Sequence, residues 1–269
     1  MQMNWKKTHN DSKYTYGTSS AAARRLEEIA KFFNPLATDF VRSFALSSCD
    51  NAVDVGCGPG FTTDMLRRAA GCADTYGLDN SEEFLEMSAV RFQRCTFMKH
   101  DVTRAPFPIQ ADIMYVRFLL SHLVNPIALV NTWITQLNTG GLLLIEEVES
   151  IQTEVQVFMT YLAINEGMIA NQGASLYIGR ELSKGKYDAD VLLNDRVEIP
   201  VANCQAATWF IPNTMTVWNE NEYVLERLSA SERERIRKEL SQLQAQQDKR
   251  SNITWRMRRL VLRSRKISP

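Results

Sequence analysis

The chain is most tightly constrained between Asn51 and Thr63, where NAVDVGCGPGFTT passes from an apolar stretch through an acid into three glycines at alternate positions. Val53 and Val55 suit a strand, and Gly56, Gly58 and Gly60 let the backbone turn sharply and approach a ligand where a side chain would intrude. A strand, a glycine loop and a helix start in that order also open a dinucleotide-binding unit. That pattern spaces its last two glycines by two residues, whereas here they alternate and Asp54 stands two residues before the first. The string reads as a cofactor loop at the head of an α/β unit, with a plain structural turn as the alternative.

Downstream, strand and helix alternate. A helix to about Ala70, ended by Gly71, leads into ADTYGLD, whose last residue is Asp79. An acid about 20 residues past a glycine loop, at the tip of the second strand, accepts the hydroxyls of a ribose. Ser81 and Glu82 follow, so a helix cap is the competing role for Asp79, and Asn80 belongs to the same edge. A third strand, CTFMKHD, ends at Asp101 beside Val102; a fourth, ADIMYV, leads into Arg117 and RFLLSHLVNP. Asn125 and Pro126 make an N-cap and N1 pair. Leu120, Leu123, Ile127, Val130, Ile134 and Leu137 form one helical stripe, closed by Gly140 and Gly141. LLLIEEV is a fifth strand, its unbroken apolar run typical of a parallel strand buried on both faces.

This alternation specifies an α/β fold with a doubly wound, mostly parallel sheet. Ligands in such sheets bind outside the carboxyl ends of the strands, where Gly58, Asp79, Asp101 and Arg117 are all predicted. The chain has 269 residues with an apolar fraction of 45%, ample for one large core. Lys and Arg total 31, as do Asp and Glu. With no net charge, no global field draws the protein to nucleic acid or an anionic membrane. Five cysteines without metal-ligand spacing, and a polar N-terminus, predict a reduced, cytoplasmic chain. No run reaches the length of a membrane span. His9, His100 and His122 are scattered, so no metal site is expected.

The spacing of Asp54, Gly56, Gly58 and Gly60 resembles motif I of the class I S-adenosylmethionine-dependent methyltransferases. The segment with Tyr14, Gly17, Arg25 and Leu26, Y-x-x-G-x7-R-L, resembles the stretch ahead of the glycine loop in their small-molecule branch, the ubiquinone- and menaquinone-biosynthesis type. The resemblance implies a Rossmann-like, seven-stranded sheet with a helical cap, S-adenosyl-L-methionine as cofactor and a small-molecule methyl acceptor. It implies that Tyr14 and Arg25 close over the methionine end, Arg25 facing its carboxylate. By the same resemblance Phe84 packs on the adenine, Asp101 accepts the exocyclic amine, the Val102 N–H reaches a ring nitrogen, and Arg117 begins the segment at the methyl-donor end. The implied division is an N-terminal helical segment over 1–48, a cofactor core over 49–150, and a lid, substrate region and last strands over 151–269.

Ala22, Leu26, Ile29 and Phe33 also make a helical stripe, with Arg24/Glu28 and Glu27/Lys31 as outer pairs, before Asn34-Pro35 breaks that helix. Residues 152–173 form an amphipathic helix, either a lid over the cleft or a cover for the sheet. Another helix spans Gly179 to about Lys186, a sixth strand Arg196 to Pro200, and a last strand Ile253 to about Leu262. Ser231 and Glu234 suggest a capping box, and Trp209, Phe210 and Trp218 suit core packing or an apolar substrate wall. His122 is the best-placed general base, with Glu146 and Glu147 as alternatives for orienting an acceptor. Eight Lys and Arg between Lys249 and Lys266 raise an RNA-methylating alternative, but only Trp255 interleaves them, and a nucleic-acid partner is not expected. A cofactor-binding protein without turnover is the other alternative.

Overall fold

The computed structural model describes residues 16–265. Helix α1 (Ser20–Arg42) precedes a βα succession of β1 (Asn51–Val55), α2 (Phe61–Ala70), β2 (Asp74–Asp79), α3 (Glu82–Arg91), β3 (Thr96–Lys99) and β4 (Ala111–Arg117). Then come α4 (Pro126–Ile134), β5 (Leu137–Thr153), α5 (Gln156–Ala170), α6 (Gly179–Leu182) and β6 (Ala189–Val201). The chain closes with α7 (Asn203–Met215), α8 (Glu222–Leu225), α9 (Ala230–Ala245) and β7 (Ile253–Ser264). The seven strands form one sheet in the order β3-β2-β1-β4-β5-β7-β6. Pairing is parallel from β3 to β5 and antiparallel on both sides of β7. This is the expected doubly wound sheet. Its order reverses direction beside β1, the switch point at which the carboxyl ends of neighbouring strands leave a crevice.

Several local expectations give way. Helix α1 runs straight through Pro35. The backbone bond that proline forgoes is outweighed by burial on both sides, with Ala30 and Phe33 before it and Ala37, Phe40 and Val41 after. The Asn34 side chain also donates to the Phe61 carbonyl. On its outer face Lys31 pairs with Glu28 at 2.6 Å, and Glu27 reaches Arg91 of α3 at 2.7 Å. The apolar stripe from Leu120 to Leu137 is divided, because Asn125 adopts a left-handed conformation (φ 55°) and Pro126 starts a new helix. Leu137 opens β5, which runs through Gly140 and Gly141 to Thr153, so the following helix starts only at Gln156.

β6 is longer than expected because it pairs with β7 along its whole length; its outer edge is open, which hides it from a search for buried runs. β7 likewise reaches Ser264, and α6 is a single turn. The capping box lies two residues earlier than expected, on Ser229 and Glu232. Ser229 has the extended conformation a cap requires, and Ser231 already lies in the first turn. The aromatic stretch around Trp209 is a helix, α7, not anticipated as an element.

The cysteine expectation is also corrected. Cys49 and Cys72, in the loops entering β1 and β2, are joined in a disulfide with Cα atoms 4.5 Å apart, while Cys57, Cys95 and Cys204 are free. No helix among the described residues is long and apolar enough to cross a membrane.

Candidate active site

The loop after β1 is built by local necessity. Gly58 (φ +50°) and Gly60 (φ +80°) take left-handed conformations that other residues resist. A Cβ on Gly58 would touch Leu26 and Phe84 at 3.9 and 4.0 Å without a clash, so its left-handed backbone is what asks for glycine; one on Gly60 would press Phe92 and Phe97 at 3.0 Å. The two glycines therefore serve different ends: Gly58 supplies the turn, and Gly60 also lets the loop pack against its neighbours. Gly56 and Gly58 line a cavity of about 790 Å³, and Gly60 does not.

That cavity gathers most of the predicted residues. Arg25, Asp79, Asn80, Phe84, Asp101, Val102, Arg117 and His122 all line it. Gly17 is left-handed (φ 71°) with open space around it, outside the wall. Tyr14 lies outside the described residues. Asp54 sits beneath the loop, 1% exposed, and takes the hydroxyls of Thr62 and Thr63 at 2.6 and 2.7 Å. It ties β1 to α2. Burial raises its carboxyl to about 6 against those two hydroxyl bonds.

At the tip of β2, Asp79 receives the Gly58 N–H at 2.8 Å on one oxygen and the Ser81 N–H at 2.9 Å on the other. It thereby couples the glycine loop to the tip of β2, and burial raises its pKa. Ser81, not Asp79, caps α3. Asp101 accepts the N–H and hydroxyl of Thr103 and pairs with Arg104 at 3.0 Å. Burial would raise its carboxyl, but the Thr103 bonds and then the Arg104 charge leave it below its ordinary value.

At the end of β4, Arg117 donates to the Asn34 side chain at 2.6 Å, and its Nη1 is buried without a partner. Phe118, next in sequence, is left-handed (φ 56°), a conformation costly for an aromatic residue. Two contacts over-determine it: its N–H reaches the Glu146 carbonyl at 3.3 Å, and its ring meets Phe33 with centroids 5.3 Å apart. Glu147, fully buried, takes the N–H groups of Leu119 and Leu120, both at 2.7 Å, and so fixes the turn that carries His122. Burial raises Glu147 to about 8 despite those two bonds. Glu146 holds Tyr115 at 2.6 Å and Arg259 at 2.8 Å. Neither glutamate lines the cavity, so neither is set to orient a bound acceptor.

His122 keeps some accessible surface, as a wall residue does, yet burial and then the Arg25 charge lower its imidazole to about 4. It is neutral at pH 7 and a weak base. Tyr16 packs edge-on against its ring at 5.5 Å, and Arg25 lies 4.7 Å over the Tyr16 ring. Sequence reading missed Tyr16. The only signal was a second tyrosine beside Gly17. Tyr161 and Asn165, on the helix read as lid or cover, and Trp255 of β7 are also wall residues, brought together only in three dimensions. Trp209 and Phe210 belong to the core and the wall at once; Trp218 is core alone.

Four arginines of the basic end are paired within the fold. Arg256 pairs with Glu198, Arg258 with Glu149, Arg259 with Glu146 and Arg265 with Asp190. That leaves no continuous stripe of unpaired cations along β7 of the kind that tracks phosphates. Among the described residues no group of His, Cys, Asp and Glu is arranged to hold a metal ion.

The fold is that of the class I methyltransferases. Residues 53–145 match the family described as methyltransferase domain. Trans-aconitate 2-methyltransferase of Agrobacterium fabrum is 27% identical over 123 residues, covering 46% of this chain and 48% of that protein. The chain thus spans about half the length of the curated relatives it matches. Among solved structures, a Bacillus halodurans protein superposes with a TM-score of 0.56 at 14% identity, over 85% of this chain and 99% of that one. The plantazolicin methyltransferase BpumL, solved with a desmethyl analogue and S-adenosylhomocysteine, gives 0.50 at 14% identity, over 90% and 88%. At that identity the likeness is one of fold.

Proposed function

We propose that this chain transfers the methyl group of S-adenosylmethionine to a small molecule. The observation that carries the reading is the convergence of Gly58, Asp79, Asp101 and Arg117, from four strand ends, on one cavity. The residues fit such a ligand. Gly58 lines the cavity, Asp79 offers a carboxylate beside the glycine loop, and the buried Nη1 of Arg117 lacks a partner that a carboxylate would supply. Bound there, S-adenosylmethionine supplies a methyl group already activated on its sulfonium.

The protein's work is then to hold the acceptor in line and to keep water out, and positioning alone supplies several powers of ten. Asp79 takes the ribose hydroxyls, Asp101 and Val102 flank the adenine, Phe84 packs beside it, and Arg117 holds the amino-acid end. Tyr16 and Thr18 also line the cavity, and Thr18 donates to Glu83 of α3. His122 is too weak a base to draw a proton from an alcohol. That favours an acceptor whose nucleophile is already unprotonated at pH 7. Relatives named for trans-aconitate support a small-molecule acceptor.

Incubation with S-adenosylmethionine labelled on the methyl group, in a metabolite extract, tests the proposal. Label is expected in one or a few small molecules. Label confined to RNA or protein, or absent while the cofactor is bound, would refute it.

A further inference from the structure

Charge in the cavity is segregated. Its carboxylates, Asp79 and Asp101, sit at the carboxyl ends of β2 and β3, whereas its guanidiniums, Arg25 and Arg117, project from α1 and the end of β4. Neither arginine forms an ion pair within hydrogen-bond distance among the described residues, although the Arg117 charge reaches Asp54, and each buries an Nη1 with no hydrogen bond. A cation withdrawn from water in this way calls for an anion.

The two cations serve different neighbourhoods. Arg117 is tied through Asn34 to the Phe61 carbonyl in the first turn of α2, hence to the glycine loop. On α1, Arg25 stands nine residues before Asn34, a rise of about 13 Å along the helix axis at 1.5 Å per residue. It is turned toward α7, donating Nε–H to the Trp209 carbonyl at 3.1 Å. Its guanidinium lies 4.7 Å over the Tyr16 ring, and Trp209, Phe210 and Trp255 line the cavity on this side, whereas Phe118 stands 5.6 Å from the Arg117 guanidinium. Tyr161 completes this end. The Asn213 amide donates to its hydroxyl oxygen at 2.6 Å, which leaves the hydroxyl's own proton for another acceptor. Burial pushes that phenol up to about 12 while the Arg25 charge pulls it down, so the two groups lie within electrostatic reach.

Resting on the methyltransferase reading above, we infer that Arg25 and Tyr161 bind the single anionic group of an apolar, ring-bearing acid, the methyl acceptor, and that Arg117 alone serves the cofactor's carboxylate. One unpaired cation in an aromatic wall suits a monoanion better than a polyanion, and the lack of a carboxylate at this end disfavours an amine. This moves Arg25 from the cofactor, where the sequence resemblance put it, to the acceptor.

The test is calorimetric titration of the protein saturated with S-adenosylhomocysteine, using 3-phenylpropanoate, its amide, 3-phenylpropylamine and propane-1,2,3-tricarboxylate as probes. The monoacid is expected to bind about tenfold more tightly than the other three, the scale of one charge-assisted hydrogen-bond pair. Arg25→Gln should erase that preference while leaving S-adenosylhomocysteine affinity within about threefold. Arg25→Lys, which keeps a cation and guards against misfolding of the Gln variant, should retain part of the preference. Tyr161→Phe should weaken the acid alone. Equal binding of acid and amide, preference for the amine or the tricarboxylate, or no binding of any probe overturns the assignment. So does an Arg25→Gln variant that loses the cofactor product while Arg117→Gln keeps it. Failure of the unmodified protein to bind S-adenosylhomocysteine appears in the first titration, before any acid is added, and removes the underlying reading itself.

Discussion

Replacing Asp79 with alanine probes the hinge between loop and ligand. The carboxylate receives backbone N–H groups from Gly58 and Ser81, one on each oxygen, and each oxygen keeps a lone pair for a ligand hydroxyl. A lost hydrogen bond to a charged group costs about 1.5 to 3 kcal/mol, which is roughly tenfold to a hundredfold in affinity. Alanine also frees the Gly58 N–H and loosens the loop, so Asp79→Ala belongs at the upper end of that range. Asp79→Asn keeps one acceptor and belongs at the lower end. Titration with S-adenosylhomocysteine, with near-ultraviolet circular dichroism confirming the folded state, measures both. A folded Asp79→Ala protein whose affinity lies within about twofold of the parent would show that Asp79 only braces the loop, and the ribose assignment would fail.

Glu147, raised by burial to about 8, binds its proton more tightly folded than unfolded, so its effect on stability is set by sign. Stability falls as pH climbs from the ordinary glutamate range to 8; between about pH 7 and about pH 9 the loss is about 1.4 kcal/mol, which denaturant melts should show and Glu147→Gln should flatten. Reduction of the Cys49–Cys72 disulfide, which closes a loop of 23 residues at the amino ends of β1 and β2, should lower stability by about 3 kcal/mol. It should leave cofactor affinity unchanged, because the cavity lies at the opposite ends of those strands; a weaker cofactor in the reduced protein would contradict that placement. Hydrogen exchange should slow in residues 16–26 on adding S-adenosylhomocysteine and stay constant in β5, whose centre is fully buried. The inner face of α5, anchored in the core by Phe158, Leu162 and Ile169, should be protected from the start. Fast exchange there that slows only with ligand would make α5 a lid after all.

The sheet and the ligand-facing edge were legible because each rests on local signals: the glycine loop, acids ending two strands, and the apolar run of β5. The aromatic side of the cavity was legible only as one of two alternatives, core or wall. Trp209, Tyr161 and Trp255 stand on three elements distant in sequence, and each carries the composition of an ordinary core residue. The continuity of α1 through Pro35 and the length of β6 depend on tertiary partners, Phe61 and β7, that no window of sequence contains. The arginines of β7 looked like a basic patch because their acids lie from 58 to 113 residues away. Asp54 was grouped with ligand contacts by its place in the motif, yet its partners, Thr62 and Thr63, were within the same string.

The central claim is that the crevice at the carboxyl ends of β1, β2, β3 and β4 is built for S-adenosylmethionine. Titration calorimetry with S-adenosylhomocysteine and with NAD tests it most directly. The account predicts saturable one-to-one binding of S-adenosylhomocysteine, weakened by Asp79→Ala, and no heat of binding from NAD. Saturable binding of NAD with none of S-adenosylhomocysteine would contradict it.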